Sequence, residues 1–301
     1  MDNKKPSKTT ISQLVEASDA ESANAHPARQ GSGSALDDSD VVTSGIEQES
    51  SGEERKKVEI LDRLLAENML VPDSNLAPEI QDDYRRIKRP LVSNACGRDR
   101  SMVERGNLIL VTSSIPGEGK TYTSVNLALS MSQEMDNTVL LVDCDVAKQG
   151  VSRMLGLEDE IGLVDVLERD DLTIGDVLLQ TDIPNLRLVS AGKQNKYVTE
   201  LLASDRMYEL VNEMASRYSN RIIIFDGPPL LPAPQTQILA GLVGQVVFVI
   251  EAGKTQQSLV EEALEMIPEK QATGLVMNKN EGLSSRGGHY YGYYGPVDNE
   301  Q

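Results

Sequence analysis

The chain has 301 residues, of which 39% are hydrophobic, and a formal net charge of −18. That length accommodates one large domain or two modest ones, and the acidic balance argues against non-specific nucleic-acid binding, which needs a basic surface. No stretch supplies the ~20 apolar residues of a membrane helix: the nearest, 238–250, holds Gly241, Gly244 and Gln245 and reads as a helix end, a turn and a buried strand.

In chain order, residues 1–52 form an acidic tail rich in Ser, Asp, Glu, Asn and Gly, without an aromatic residue. Such a segment cannot bury enough apolar surface to offset its ordering entropy, so disorder is expected. Lys4, Lys5 and Lys8 give it a mildly basic start, but no long apolar run follows, so it is not read as a secretory signal. A helical segment is expected over 53–106. Its first helix, 53–68, repeats Val58, Ile60, Leu61, Leu64 and Leu65 at threes and fours. After a loop with Pro72 and Pro78, a second helix over 79–94 sets charged residues around Ile80, Tyr84 and Ile87, with Pro90 interrupting its pattern.

From Asn107 the pattern changes. Short apolar runs at 108–111, 139–142, 186–189, 222–225, 246–250 and 274–277 alternate with helical stretches near 120–133, 198–218, 235–241 and 256–266. Continuous rather than alternating apolar runs indicate strands covered on both faces. The expected fold is therefore α/β, a parallel sheet flanked by helices and joined by right-handed crossovers, occupying 107–281. Cys96 and Cys144 lie far apart without metal-ligand spacing and read as reduced thiols.

Within the first strand–loop–helix unit stands Ser114-Ile115-Pro116-Gly117-Glu118-Gly119-Lys120-Thr121. This is a phosphate-binding loop in its required context, with Ser114 where the first Gly is usual. Gly117 and Gly119 let backbone amides approach phosphate oxygens, and the helix N-terminus adds partial positive charge. Lys120 can reach the β- and γ-phosphates and the Thr121 hydroxyl is placed for Mg²⁺. The nucleotide site is expected over Pro116, Gly117, Glu118, Gly119, Lys120, Thr121 and Tyr122. Two apolar runs end in carboxylates, one at Asp143-Cys144-Asp145 and the other at Asp226-Gly227-Pro228-Pro229. Ligands of open parallel sheets bind at the carboxyl ends of strands. One such Asp is often only a helix cap; three beside Lys120 and Thr121 suggest a metal site, with Thr121, Asp143 and Asp226 as ligands.

Four of the nine tyrosines, Tyr290, Tyr291, Tyr293 and Tyr294, cluster among Gly287, Gly288, Gly292 and Gly295. A flexible tail is expected over 282–301. By itself this could be a sticky end with no catalytic role; beside a nucleotide site it reads as a run of hydroxyl acceptors. From Asn278 to Tyr294 is 16 residues, a reach of up to roughly 50 Å at ~3.3 Å per residue, enough to meet a neighbouring subunit.

Taken together, Pro-Gly-Glu-Gly-Lys-Thr at 116–121, Asp-x-Asp at 143–145, Asp-Gly-Pro-Pro at 226–229 and the tyrosine tail resemble the bacterial tyrosine kinases. The segment 84–90 looks most like the exosortase-associated autokinases of exopolysaccharide clusters. The resemblance implies ATP and Mg²⁺ as cofactors, Lys120 on the phosphates, Asp143 as base toward the tyrosine hydroxyl and Asp145 in support of it. It implies Asp226 in the metal shell, and Tyr290, Tyr291, Tyr293 and Tyr294 as phosphoacceptors. Asp83, Arg86 and Arg89 look like the family's helix motif that packs subunits into a ring. Asn278 resembles the adenine-contacting Asn of related ATPases, or is a strand-terminating turn residue. The resemblance also implies an inner-membrane polysaccharide chain-length protein as activator, and hence a cytoplasmic enzyme held at the membrane by its partner. Departures are Ala147 and Lys148 where relatives often carry Arg, and Gln235 where an Asp often follows the Pro-Pro segment. The competing readings are a partitioning-type ATPase, disfavoured by Ile115 where those proteins carry Lys, and a catalytically weak regulator that keeps ATP binding.

Overall fold

In the computed structural model, residues 56–71, 78–97, 102–217 and 220–280 are described. The acidic tail and the tyrosine cluster, including Tyr290, Tyr291, Tyr293 and Tyr294, lie outside them.

All six apolar runs form strands: β2 (Leu108–Ser113), β3 (Thr138–Asp143), β5 (Leu186–Val189), β6 (Arg221–Asp226), β7 (Gln245–Glu251) and β8 (Ala272–Asn278). They pair in parallel in the order β5-β3-β6-β2-β7-β8. Every residue of β2 is buried, as expected of a strand covered on both faces. Its side chains alternate between two cores. Ile109 and Val111 join Leu141 and Ile224 on one side, while Leu108 and Leu110 join Leu140, Phe225 and Phe248 on the other.

The sheet is not wholly parallel. Two further strands, β4 (Leu179–Thr181) and β1 (Lys57–Val58), extend it beyond β5, and β4 runs antiparallel to β5. Neither contains an apolar run, so periodicity did not reveal them. The turn between β4 and β5 includes Asn185 at φ 61°, a left-handed conformation that Asn tolerates.

The expected helix over 53–68 is replaced, in its described part, by β1 and the short α1 (Leu61–Ala66). Ile60 and Leu64 are fully buried, and the Asp182 carboxylate accepts from the N–H groups of Ile60 (3.0 Å) and Leu61 (3.2 Å). A carboxylate from a distant turn thus sets the start of the helix, which local spacing cannot foresee. The second helix, α2 (Pro78–Cys96), lies where expected and contains Pro90 within its span. It buries Tyr84, Leu91 and Ala95, and Lys88 Nζ donates to Ser130 O at 2.7 Å. Asp83, Arg86 and Arg89 are exposed on the other face.

Helix α3 (Lys120–Ser132) follows the phosphate loop and is buried along most of its length. The expected helix 198–218 is broken into α6 (Val198–Leu202) and α7 (Asp205–Arg217). Ser204 causes the break: its Oγ accepts from Met207 N–H at 3.2 Å, an N-cap that starts a new helix. α4 (Gly150–Leu155) and α5 (Leu163–Glu168) are too short to show a period; α8 (Gln235–Leu242) and α9 (Gln257–Glu265) lie where expected. Among the described residues, no helix is long and apolar enough to cross a membrane.

Candidate active site

The loop between β2 and α3 takes its shape from two glycines, Gly117 at φ 94° and Gly119 at φ 99°. A Cβ on Gly119 would lie 1.9 Å from Asn278 Nδ2. Gly119→Ala is therefore expected to cost about 1–3 kcal/mol in backbone strain alone. It should also weaken nucleotide binding; thermal melting and a fluorescent nucleotide titration check both.

Glu118 does not point outward. It is buried, its Oε2 accepts from Ile115 N–H at 2.8 Å, and its Oε1 accepts from Thr255 Oγ1. Asn278 Nδ2 donates to Glu118 O at 2.9 Å and Lys279 Nζ to Gly117 O at 2.7 Å. The loop is thus braced by its own carboxylate and by the end of β8. Pro116 is exposed at the tip, whereas Tyr122 packs partly buried against the α2–α3 core.

Strand register brings the acidic residues together. Asp143 and Asp226 are direct partners at the ends of adjacent β3 and β6, and Val111 of β2 also pairs with Asp226. Asp143, Asp145 and Asp226 are all buried. Lys120 Nζ meets Asp145 Oδ2 at 2.8 Å. Asp226 accepts from Thr121 Oγ1 and Ser124 Oγ, both at 2.8 Å. Asp143 Oδ2 accepts from the N–H and the Oγ of Ser152, both at 2.8 Å, and its Oδ1 from Asp145 N–H at 3.2 Å.

Burial pushes the Asp143 carboxyl up to about 7, with the neighbouring Asp226 charge adding to the effect. Burial likewise raises Asp226, opposed by Lys120 and by the two hydroxyls. Burial disfavours the charge on Lys120, but Asp226, Asp145 and Asp143 outweigh it and hold the ammonium above its ordinary range.

Three carboxylates against one ammonium leave an uncompensated negative charge in a desolvated space, which a divalent cation would relieve. The Thr121 hydroxyl and these carboxylates are hard oxygen donors of the kind Mg²⁺ takes. Among the described residues, no group of three or more His, Cys, Asp or Glu forms a cage for an ion. The donor set therefore suits an ion completed by phosphate oxygens and water. The buried Ser114 Oγ, which has no hydrogen-bond partner among the described residues, is a further polar atom at the loop for a ligand to satisfy.

A mostly parallel sheet with a phosphate loop and strand-end aspartates at its carboxyl rim defines a P-loop nucleotide-binding protein. The AAA domain family matches residues 106–274. Tyrosine-protein kinase YwqD of Bacillus subtilis is 34% identical over 220 residues, covering 72% of this chain and 87% of that protein. The chain belongs to the bacterial tyrosine-kinase family. The putative tyrosine-protein kinase EpsB of Ralstonia nicotianae is 30% identical over 199 residues, 62% of this chain but only 26% of that much longer relative. Among solved structures, the VpsO kinase domain superposes with a TM-score of 0.56 at 25% identity, covering 68% of this chain and 98% of that one.

Four contributors escaped the sequence reading: Ser124, Ser152, Thr255 and Lys279. Ser124 was findable, because it lies one turn beyond Thr121 on the same helix face. Ser152, nine residues after Asp143, gave no local signal. Its Oγ also accepts from Ala191 N–H at 3.0 Å, so it ties Asp143 to the end of β5. Ser152→Ala is expected to cost about 1–3 kcal/mol by orphaning a buried N–H and removing one donor from Asp143. Chemical denaturation measures that loss, and unchanged stability would contradict the geometry.

Proposed function

We propose that the protein is an ATP-dependent tyrosine autokinase that phosphorylates its own C-terminal cluster, Tyr290, Tyr291, Tyr293 and Tyr294, in trans within a homo-oligomer. The observation that carries this reading is the convergence of Lys120, Thr121, Asp143, Asp145 and Asp226 at one buried rim. Phosphoryl transfer asks chiefly for alignment and charge neutralisation, with a carboxylate to orient the incoming hydroxyl.

In this reading Lys120 leaves Asp145 to hold the β- and γ-phosphates, and loop amides around Gly117 and Gly119 cradle them. Thr121, Asp143 and Asp226 would hold Mg²⁺, which would supply charge neutralisation at the phosphates. Asp143 accepts the phenol proton as the tyrosine oxygen bonds to the γ-phosphorus and the bond to the β–γ bridging oxygen breaks, leaving ADP. Asn278, already at the loop, contacts the adenine.

The exposed row Asp83, Arg86 and Arg89 forms the contact between subunits, possible because Tyr84 and Leu91 anchor the helix on its other side. An inner-membrane chain-length protein of the polysaccharide system activates the kinase and holds it at the membrane. The output is control of exopolysaccharide synthesis or export, with the exosortase-associated systems as the nearest setting. Incubation with Mg-ATP, followed by mass spectrometry of the tail, tests the assignment. Phosphate on the cluster in wild type and none in Lys120→Met is the expected result. An unmodified tail in the assembled, activator-bound protein would favour an ATP-binding regulator instead.

A further inference from the structure

A second hollow lies beside the reacting rim, at the carboxyl ends of β3 and β5. It has a volume of about 500 Å³ and is lined by Val146, Ala147, Gln194, Asn195, Lys196 and Val198. None of these residues belongs to the nucleotide and metal set assigned above.

The hollow is a built feature. Its two walls are the β3–α4 and β5–α6 loops, joined to each other through Gln149 and held to helices α4 and α5 by further bonds. Gln149 Nε2 donates to Gly192 O at 2.7 Å, and Asp165 Oδ2 accepts from Gly162 N–H at 2.9 Å and Lys193 N–H at 3.3 Å. Ser152 Oγ bridges Asp143 and Ala191 N–H. The hollow is therefore held in register with Asp143, three residues before Val146.

Its chemistry is that of a site for an aromatic peptide. Val146 is buried and packs with Val164 and Ala191, with Val198 against them, giving an apolar floor. Amides of Gln194 and Asn195 and the ammonium of Lys196 stand at the mouth, and Lys196 Nζ sits 4.7 Å from the Tyr197 ring centre. The volume falls in the range of about 300–1,000 Å³ typical of small-ligand pockets, ample for a phenol ring.

We infer that this hollow is the docking site for the acceptor segment 287–295, delivered by a second copy of this chain, seating one tyrosine ring while its neighbour meets Asp143. The inference rests on the autokinase reading above. Three observations favour this occupant. The segment pairs aromatic rings with glycines, so it fits an apolar floor without long side chains. The cluster is followed by Asp298 and Glu300, while Lys148, Lys193 and Lys196 stand exposed around the hollow. Reach also suffices. β8 and β3 are four places apart in the sheet, roughly 19 Å at ~4.8 Å per strand. The 12 residues from Asn278 to Tyr290 span up to roughly 40 Å, which leaves slack for a neighbouring subunit.

The test uses the full chain, wild type and with Ala147→Trp or Lys196→Glu, and a fluorescein-labelled peptide of residues 287–301, which carries the four tyrosines together with Asp298 and Glu300. Ala147 is exposed on a turn, so the Trp fills the hollow without entering the core. Anisotropy reads peptide binding without turnover, and a fluorescent nucleotide reads the other site. Each variant is expected to weaken peptide binding at least tenfold and raise the peptide KM by a similar factor, with nucleotide affinity and melting temperature unchanged. The Lys196→Glu effect should shrink at high salt. Equal peptide affinity in wild type and both variants would overturn the docking site, as would a fall in kcat at constant KM. If the wild type binds peptide and Mg-ATP but transfers no phosphate, the autokinase reading fails while the docking result stands on its own.

Discussion

Lys120→Met is expected to reduce tail phosphorylation by at least about 10²–10³-fold, the scale seen when one preorganised charge stabiliser is lost. The reason lies in where the ammonium sits. It is the one cation bonded within the carboxylate cluster among the described residues, 2.8 Å from Asp145 and buried with it. Methionine keeps the length of the side chain but cannot donate to a phosphate oxygen. The same change should be visible without ATP. Breaking a buried ion pair by removing one partner typically costs about 3–5 kcal/mol, because the remaining charge is stranded. A nucleotide-free melt of the variant should therefore show a clearly lowered midpoint. A variant that melts like wild type would mean that Asp145 is satisfied by something other than Lys120.

Asp226→Asn is expected to do the opposite to stability while still impairing transfer, by about 10²-fold. Asp226 lies beside Asp143 in register, and its charge helps push Asp143 up to about 7. The amide removes that repulsion without orphaning its neighbours, and Lys120, which loses the attraction of Asp226, keeps its direct bond to Asp145. Asn Oδ1 can accept from Thr121 Oγ1, as Asp226 Oδ2 does now. Its Nδ2 can donate to Ser124 Oγ, whose own proton turns to Lys120 O at 2.9 Å. The pH dependence has a definite sign. A folded-state pKa raised above the unfolded value of about 4 stabilises fully below that value, and the stabilisation is lost as pH rises through about 7. Metal-free wild type should thus weaken between pH 4 and 7, and Asp226→Asn should lose less over that window. Melting temperatures of both proteins at pH 5 and pH 8, in chelator, provide the check; a variant that gains nothing at pH 8 rules out stored repulsion. The wild-type rim would then be a place where stability is given up for charge that only a bound cation can balance.

Much of this architecture could be read from the chain because the informative residues were local. Ile222 to Phe225 ahead of Asp226, or Leu110 and Val111 ahead of the glycine loop, announce a buried strand and what it carries at its end. The register that pairs Asp143 with Asp226 follows once the strands are known to be parallel neighbours. What could not be read depends on partners distant in sequence. Asp182 caps a helix more than a hundred residues earlier, and β1 exists because Lys57 and Val58 find β4. Ser152 acquires meaning only when α4 folds back over β3. The Ser204 cap is a different case, since a Ser-Asp pair in the middle of a predicted helix is a start signal that apolar spacing masks. The buried carboxylate of Glu118, which braces the loop from within, also breaks the rule that such groups face water.

The braces at Gly117 and Glu118 have one more implication. In a trans peptide unit the C=O and the next N–H point in opposite directions. With the oxygens of residues 117 and 118 turned toward Lys279 and Asn278, the amide hydrogens of residues 118 and 119 are directed to the other side of the ribbon. An incoming polyanion thus meets donors already aimed and no lone pairs to repel it. The end of the last strand does for this ribbon what a jig does for a workpiece, and the entropy of arranging it is settled during folding, before any nucleotide arrives.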